Sequence, residues 1–310
     1  MRSLLAKPSP SCPCVTLPPP PPAAGTLADL AAAGYPAVAL DLRGHGESAL
    51  GPEAAFSPQS LASDVLAAVA SLVPSGRGVV LVGHSMGGRV AMRCAAMDCA
   101  SETPLLRSVV IEDMDLAERG EKFLPRLEAK EEAALAAFGN PDGRRFDTWE
   151  AARAALLPWY EDEARVDGWR GKRVRELPDG AWWSDINPLA QRLAAQHVLM
   201  STDGASAWEE LRAHMERCEA GEAVGEAPAI HVWYADTPGT VVTLDGPGGI
   251  DEMRSKLPQA SFRFFADSGH SIHNDRVAKP AFLAALRDVV DEAAKRDASR
   301  AGRVRGPRGG

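Results

Sequence analysis

The sequence has few cysteines, no long apolar run and fewer basic than acidic residues, and each shortage excludes a class of protein. Five cysteines are an odd number without metal-like spacing, so we expect reduced thiols rather than a disulfide framework. No apolar run approaches the roughly 20 residues of a membrane-spanning helix, so we expect a soluble protein. The 34 basic residues face 42 acidic ones, and the net charge of −8 argues against nucleic acid as a partner.

Both ends of the chain lack the pattern of a packed domain. Pro18–Pro22 is an unbroken proline run, so we expect residues 1–25 to be a disordered leader. This leader is basic and free of acids, which is compatible with an organellar transit peptide and equally with a leader without function. We therefore expect a cytoplasmic or organellar protein, with the mitochondrion or plastid as possible organelles. Residues 295–310 have many arginines and glycines and are expected to be a disordered basic tail.

The stretch Gly78–Arg89 predicts a buried strand, a very tight turn and a helix that begins at once. Val79–Val82 are four consecutive apolar residues, which is typical of a central strand covered on both faces. Gly83 and the two glycines after the turn leave room where strand and helix would otherwise collide. Ser85 lies at the turn, in the G-x-S-x-G pattern of a nucleophile elbow. The pattern predicts a nucleophilic serine and a serine hydrolase.

A second glycine-rich loop, Asp41–Ser48, follows a predicted helix at Leu27 and a predicted strand at Ala37–Leu40. Its D-x-R-G-H-G-x-S pattern stands about forty residues ahead of G-H-S-M-G-G, and this pairing resembles the α/β-hydrolase superfamily, in particular its single-cap serine esterase and lipase branch. The resemblance implies an α/β fold, with a mostly parallel, doubly wound sheet and an inserted helical cap.

The middle of the chain has no strand pattern. Charged helical patterns and six of the seven tryptophans occupy it instead, where the resembling family inserts its cap. We therefore expect residues 26–115 and 226–294 to form the hydrolase core and residues 116–225 a helical cap. The helical patterns are Glu118–Ala137, Trp149–Leu157, Asn187–Leu199 and Ala207–Cys218.

Three carboxylates are candidates for the acid of a catalytic triad. Many members of the resembling family place the acid after the strand that here is Ala229–Tyr234, but Thr237 occupies the usual position and Asp236 falls one residue early. One branch of the family places the acid after the preceding core strand, where Asp113 matches it. The resemblance therefore ranks Asp113 first, Asp236 second and Glu112 third.

The histidine of the triad is expected at His270, after the last predicted strand. The resembling family marks its catalytic histidine there with Gly-His, an apolar residue and a second histidine close behind. The order serine, acid, histidine also matches the order of the fold. His273, His84 and His45 are expected to be packing or hydrogen-bonding neighbours.

These residues predict an acyl-enzyme mechanism with an incomplete oxyanion hole. Ser85 would attack, His270 would act as base, and the Met86 N–H would meet the oxyanion. The family's second donor follows an earlier strand that ends in His-Gly, and this chain has no His-Gly upstream of Leu27. We therefore expect the first strands of the fold to be missing, which puts the efficiency of catalysis in doubt.

The predicted function is hydrolysis of a small or medium carboxylic ester or thioester. Two alternatives stay open at this stage: an enzyme with the same triad that cleaves or eliminates at C–C or C–O bonds, and a catalytically impaired binding protein on the same scaffold. We expect no cofactor and no metal site, because no pair of histidines has metal-ligand spacing with a carboxylate partner. The expected partner is a small-molecule substrate, and the sequence leaves the oligomeric state open.

Overall fold

The computed structural model describes residues 2–6, 25–74, 77–120, 144–160, 163–223, 226–237 and 240–304. The strands in these ranges are β1 (Arg2–Ala6), β2 (Ala37–Asp41), β3 (Val79–His84), β4 (Leu106–Glu112), β5 (Arg145–Phe146), β6 (Val174–Glu176), β7 (Trp182–Ser184), β8 (Ala229–Ala235) and β9 (Ser261–Phe265). The helices are α1 (Thr26–Ala32), α2 (Pro58–Leu72), α3 (Met86–Cys99), α4 (Trp149–Tyr160), α5 (Glu163–Asp167), α6 (Pro188–Ala194), α7 (Asp203–Glu219), α8 (Ile250–Lys256) and α9 (Lys279–Val304). A π-helical turn at Ala195–Leu199 extends α6, and 3₁₀ turns lie at Glu53–Phe56 and Ile272–Asn274.

A six-stranded sheet in the order β2-β1-β3-β4-β8-β9 carries the fold. From β3 to β9 every neighbouring pair is parallel. Strand β1 is antiparallel to both of its neighbours, so β2 runs in the same direction as the parallel strands. The mostly parallel sheet predicted from the sequence is confirmed.

The expectation of a disordered leader is wrong for its first residues. Arg2–Ala6 forms β1, which pairs on both sides, with Ser3 opposite Leu40 in β2 and opposite Gly83 in β3. Backbone pairing of this kind needs no distinctive side chains, and Arg2–Ala6 neither alternates between apolar and polar residues nor forms a wholly apolar run. The sequence analysis expected the first strands of the fold to be missing, whereas β1 lies between β2 and β3 and runs antiparallel to both. The proline run and the rest of 7–24 lie outside the described residues.

Two layers of helices bury the two faces of the sheet. In β3, Val79 and Leu81 face the core formed with α2, α3 and α7, whereas Val80 and Val82 face α1 and α9. This alternation along one wholly apolar strand confirms the doubly wound arrangement. Helix α2 begins at Pro58, because the Ser57 side chain accepts a hydrogen bond from the Ser60 N–H at 3.1 Å and caps the first turn.

The segment predicted as a helical cap also contains strands. Strands β5, β7 and β6 form a small antiparallel sheet with its own apolar cluster. They escape sequence analysis because each has only two or three residues. Helix α7, within the predicted cap, packs on α3 of the core through residues such as Trp208, so the expected boundary at 225 is too late in the chain. The helix predicted from Glu118 lies, beyond Gly120, outside the described residues. The apolar cluster beside the small antiparallel sheet contains Phe146, Trp149, Ala152, Ala155, Leu156, Val166, Val174 and Ile186.

The expectation of a disordered tail is wrong for residues 295–304, which continue α9. Asp297 accepts hydrogen bonds from Arg107 Nε at 2.5 Å and from the Gly78 N–H at 2.9 Å. The side chains of Asp297 and Arg107 are 9% and 8% exposed. Asp297 looks in the sequence like a lone acid among basic residues, but it is the partner of a buried arginine, and this tertiary contact orders the helix.

None of the helices in the described ranges combines the length and the apolar character needed to cross a membrane.

Candidate active site

Ser85 lies at the predicted elbow, between the end of β3 and the start of α3. Its backbone is in a strained conformation, with φ 55° and ψ −123°, and its side chain is buried. The strand and helix approach so closely that a Cβ on Gly83 would come within 2.1 Å of the Gly87 carbonyl oxygen. A Cβ on Gly88 would come within 2.9 Å of the Met114 Cβ. The glycines are therefore required by the turn itself.

The start of α3 presents backbone donors beside Ser85. Met86 is the first residue of the helix and is buried, so its N–H is one of those that a helix leaves without an intrahelical partner. The Ser85 N–H donates to the Glu112 carbonyl oxygen at 2.9 Å, which fixes the elbow against the end of β4. This contact also places Ser85 next to the carboxylates that follow.

In the described ranges, three non-glycine residues have a positive φ, and two of them are predicted site residues. They are Ser85 (55°), Asp113 (45°) and Asp267 (56°). Such conformations cost on the order of 1–3 kcal/mol each and accumulate at functional sites. The strain at Asp113 turns the chain sharply after β4, directly beside the elbow.

Asp113 and His270 form a hydrogen-bonded pair. His270 Nδ1 lies 2.6 Å from Asp113 Oδ2, which also accepts the Val241 N–H at 3.1 Å. Asp113 is fully buried, and its other oxygen, Oδ1, has no partner in the described part of the chain. The His270 ring is 29% exposed, so its outer edge is accessible. This arrangement holds the imidazole with Nδ1 protonated and Nε2 turned away from the acid.

The other two candidate acids lie elsewhere. Asp236 is exposed after β8, and the neighbouring Thr237 donates its hydroxyl to the Ser268 carbonyl oxygen at 2.6 Å. Glu112 is fully buried but contacts His273 instead of His270. Of the three carboxylates ranked from the sequence, Asp113 is the one hydrogen-bonded to the His270 ring.

Glu112 and His273 form a second buried pair. Glu112 Oε1 accepts hydrogen bonds from His273 Nδ1 at 2.8 Å and from the His273 backbone N–H at 2.9 Å. Burial opposes the ionisation of Glu112, but the interaction with His273 outweighs it and holds the pKa of the carboxyl below its usual value. Sequence analysis expected His273 to be a hydrogen-bonding neighbour, and these contacts confirm it.

His84 lies between the two pairs. Its Nε2 donates to the His270 carbonyl oxygen at 2.7 Å, and its ring centroid is 4.5 Å from that of His270 and 5.0 Å from that of His273. Burial lowers the pKa of His84 to about 4, so the ring is neutral at pH 7. Sequence analysis expected His84 to be a packing or hydrogen-bonding neighbour, and its hydrogen bond and ring contacts are of that kind.

The loop after β2 is held by the inserted segment. Buried Arg144 donates to the Gly46 carbonyl oxygen at 2.7 Å and to the Ser48 carbonyl oxygen at 3.1 Å. His45 Nδ1 donates to the Arg43 carbonyl oxygen at 2.9 Å, and burial lowers the pKa of His45 to about 3. Sequence analysis missed Arg144, because a single arginine carries no signal of which distant backbone carbonyls it will contact. Across the described ranges no group of histidine, cysteine, aspartate and glutamate is arranged to hold a metal ion.

Comparison with known proteins identifies the family of the chain. The chain matches the alpha/beta hydrolase family over residues 20–286 and belongs to that family. It is 27% identical over 254 residues to N-formylmaleamate deformylase of Pseudomonas putida, covering 81% of this chain and 77% of the relative. It is 31% identical over 176 residues to an esterase of Mycobacterium tuberculosis, covering 51% and 55%.

Solved structures share the fold at low sequence identity. E-2-(acetamidomethylene)succinate hydrolase superposes with a TM-score of 0.57 at 19% identity, over 93% of this chain and 94% of that one. An esterase from a marine microorganism gives a TM-score of 0.57 at 16% identity, over 92% and 98%. These likenesses establish the α/β-hydrolase fold.

Proposed function

We propose that the protein is a serine hydrolase that cleaves a small or medium carboxylic ester or thioester through an acyl-enzyme on Ser85. The observation that carries the proposal is the 2.6 Å hydrogen bond between His270 and Asp113, formed beside a serine in a strained, glycine-lined elbow. A nucleophile, a base and an orienting acid in this order along the chain are the parts of a triad.

In the proposed reaction, His270 Nε2 takes the proton of Ser85 as the hydroxyl oxygen attacks the carbonyl carbon. Asp113 orients the imidazole and stabilises its charged form. The Met86 N–H donates to the tetrahedral oxyanion, and His270 returns the proton to the departing alcohol or thiol. Water activated by His270 then releases the acid. Each oxyanion donor is worth about 10²–10³ in rate, so a single donor here would give a modest turnover.

We further propose that the inserted segment is a cap, because it contacts the loop after β2. Its Arg144 holds the loop after β2, and the Gly46 N–H donates to the Asp185 carbonyl oxygen at 3.2 Å. Arg175 adds an ion pair to Glu47 at 3.3 Å. We place this cap at residues 144–186, which contain the separate apolar cluster, between the two parts of the core.

A fluorophosphonate probe tests the nucleophile. The wild-type protein should be labelled at Ser85 and should hydrolyse p-nitrophenyl acetate or butyrate. Ser85→Ala should lose the label and about 10⁵–10⁶ of kcat. Ser206→Ala is the matched control, because Ser206 is exposed on α7 and should leave both readouts unchanged. Absent labelling of the folded wild type, or equal labelling of Ser85→Ala, would refute the proposal.

A second candidate is hydrolysis of an amide, favoured by the relative named N-formylmaleamate deformylase, of which the chain covers 77%. The same three residues would act: Ser85 would take the formyl group, and His270 would return the proton to the nitrogen of the departing carboxamide, which replaces the alcohol as leaving group. Matched pairs of N-formyl amides and formate esters separate the two: a higher kcat/KM for the amide favours deformylation. The labelling experiment is common to both candidates.

A further inference from the structure

The second carboxylate–imidazole pair is built with more contacts than the first. Glu112 and Asp113 are consecutive and both fully buried, yet each holds a different histidine of the same loop. Both Glu112 oxygens lie within 2.9 Å of His273 Nδ1, and one of them also accepts the His273 backbone N–H. Glu112, which lies next to the proposed triad acid in the sequence, is therefore a buried, hydrogen-bonded carboxylate and not a solvated residue of the loop.

The charge of Glu112 is not neutralised by this pair. Its ion-pair partner among the described residues is His273, and no lysine or arginine there forms one with it. The Asn274 side-chain Nδ2 lies 2.7 Å from His273 Nε2 in the orientation of a donor, which is the arrangement of a neutral His273 ring with its proton on Nδ1. His84 on the other side is neutral as well. A full negative charge thus stays buried in a setting of neutral rings.

His84 brings this charge close to His270, because its ring contacts both His270 and His273. The titratable groups near His270 include Asp113 on the turn after β4, His84 at the end of β3, His273 on the following 3₁₀ turn, and half-buried Asp275, whose carboxylate interacts with the Gly269 backbone N–H. The charged residue after β8, Asp236, is exposed, and α9 contributes the apolar Phe282 against His273. Glu112 is therefore the additional buried anion of this cluster.

We propose that Glu112 is a positioning residue whose buried negative charge, acting across His84 and His273, stabilises the imidazolium that His270 becomes during the reaction. The inference rests on the proposed function, since it assigns a role to Glu112 in the same site. Glu112 touches no substrate. Its two hydrogen bonds to His273 fix the segment that carries His270 and His273. Its negative charge favours the charged form of His270 through space.

Glu112→Gln tests the charge while keeping the shape and one acceptor oxygen. The acid limb of the kcat/KM profile should move to lower pH by on the order of one unit, because removal of a buried anion disfavours the imidazolium. The plateau rate should fall by about tenfold for the same reason. Glu102→Gln, an exposed carboxylate at the opposite edge of the sheet, is the matched control and should change neither. Glu112→Asp keeps the charge and should keep the wild-type limb. A folded Glu112→Gln protein with the wild-type limb would overturn the proposal, whatever its plateau rate.

A second measurement does not depend on the folding of a Glu112 variant. In ¹⁵N-histidine-labelled Ser85→Ala protein, the nitrogen shifts of His273 at pH 7 should be those of a neutral ring protonated at Nδ1. An imidazolium at His273 would neutralise Glu112 and overturn the proposal. This result is obtained even when the wild type neither takes the fluorophosphonate label nor cleaves esters, so failure of the proposed function and failure of this inference are separate outcomes.

Discussion

The two carboxylate–histidine pairs at the end of β4 use the same chemical groups in different surroundings. The Asp113–His270 pair leaves one carboxylate oxygen without a partner, and its histidine ring is 29% exposed. The Glu112–His273 pair engages both oxygens, and its histidine ring is 17% exposed and hydrogen-bonded on both nitrogens. The first pair has a ring nitrogen available for chemistry, and the second has none.

The difference shows that two consecutive acids at the end of a strand can bind different histidines and have different roles. A positive φ turns Asp113 away from the direction that β4 gives to Glu112. We therefore expect the first pair to have the larger effect on the rate of reaction and the second pair the larger effect on stability, and the following substitutions separate the two.

The largest expected effect is on the rate. Asp113→Asn should reduce kcat for p-nitrophenyl esters by about 10⁴, because an amide favours the wrong tautomer of His270. Asp236→Asn is the control and should stay within about twofold of the wild type, since Asp236 is exposed. A larger loss of kcat in Asp236→Asn than in Asp113→Asn would assign the acid of the triad to Asp236 and contradict the role given to the Asp113–His270 pair.

The next effect is on stability. His273→Ala leaves buried Glu112 with only a backbone N–H, and removal of one hydrogen-bond partner of a buried charged group costs about 3 kcal/mol in the free energy of unfolding. Urea denaturation followed by circular dichroism measures it. His270→Ala should cost less, because Asp113 keeps the Val241 N–H. Equal losses in the two variants would mean that both pairs are structural.

A smaller effect concerns the pH dependence of stability, and it arises from His84, which lies between the two pairs. Burial lowers the pKa of His84 to about 4 in the folded protein, against 6.5 unfolded, so the unfolded chain binds the extra proton. Stability should fall as the pH falls from 6.5 towards 4, by about 1–2 kcal/mol at pH 5 from this residue. His84→Gln keeps a donor for the His270 carbonyl and should reduce that fall by this amount in urea titrations at pH 7 and pH 5. An unchanged difference between the two pH values would contradict the assignment.

The smallest effect is expected at the rim of the second pair. Asn274→Ala removes the hydrogen bond to His273 Nε2 at an exposed position, which should cost less than about 1 kcal/mol in stability. Activity should stay within about twofold, measured with the same ester. A loss as large as that of His273→Ala would place Asn274 inside the pair instead of at its edge.

Much of the core was predictable because its signals are local. The apolar run of β3, the glycines of the elbow and the serine cap of α2 each fix a boundary within a few residues. Asp113 was ranked first from a resemblance, whereas its unusual backbone and its contact with His270 are tertiary facts that no pattern contains.

The misses share a physical cause, since each element depends on partners distant in the chain. Strand β1 exists through pairing with β2 and β3, and its sequence alone has no signal of that pairing. The last turns of α9 are ordered by the contact of Asp297 with Arg107. Arg144 and Glu112 likewise gain their roles from the surfaces they meet.

The late position of α9 has a consequence for synthesis on the ribosome. Val80, Val82 and Val110 lie against α9, yet the ribosome makes these strands long before it reaches Lys279–Val304. Until then one apolar face of the nascent sheet has no cover apart from the short α1. The unfinished chain is therefore exposed to aggregation during translation, and chaperone protection should matter most just before α9 emerges.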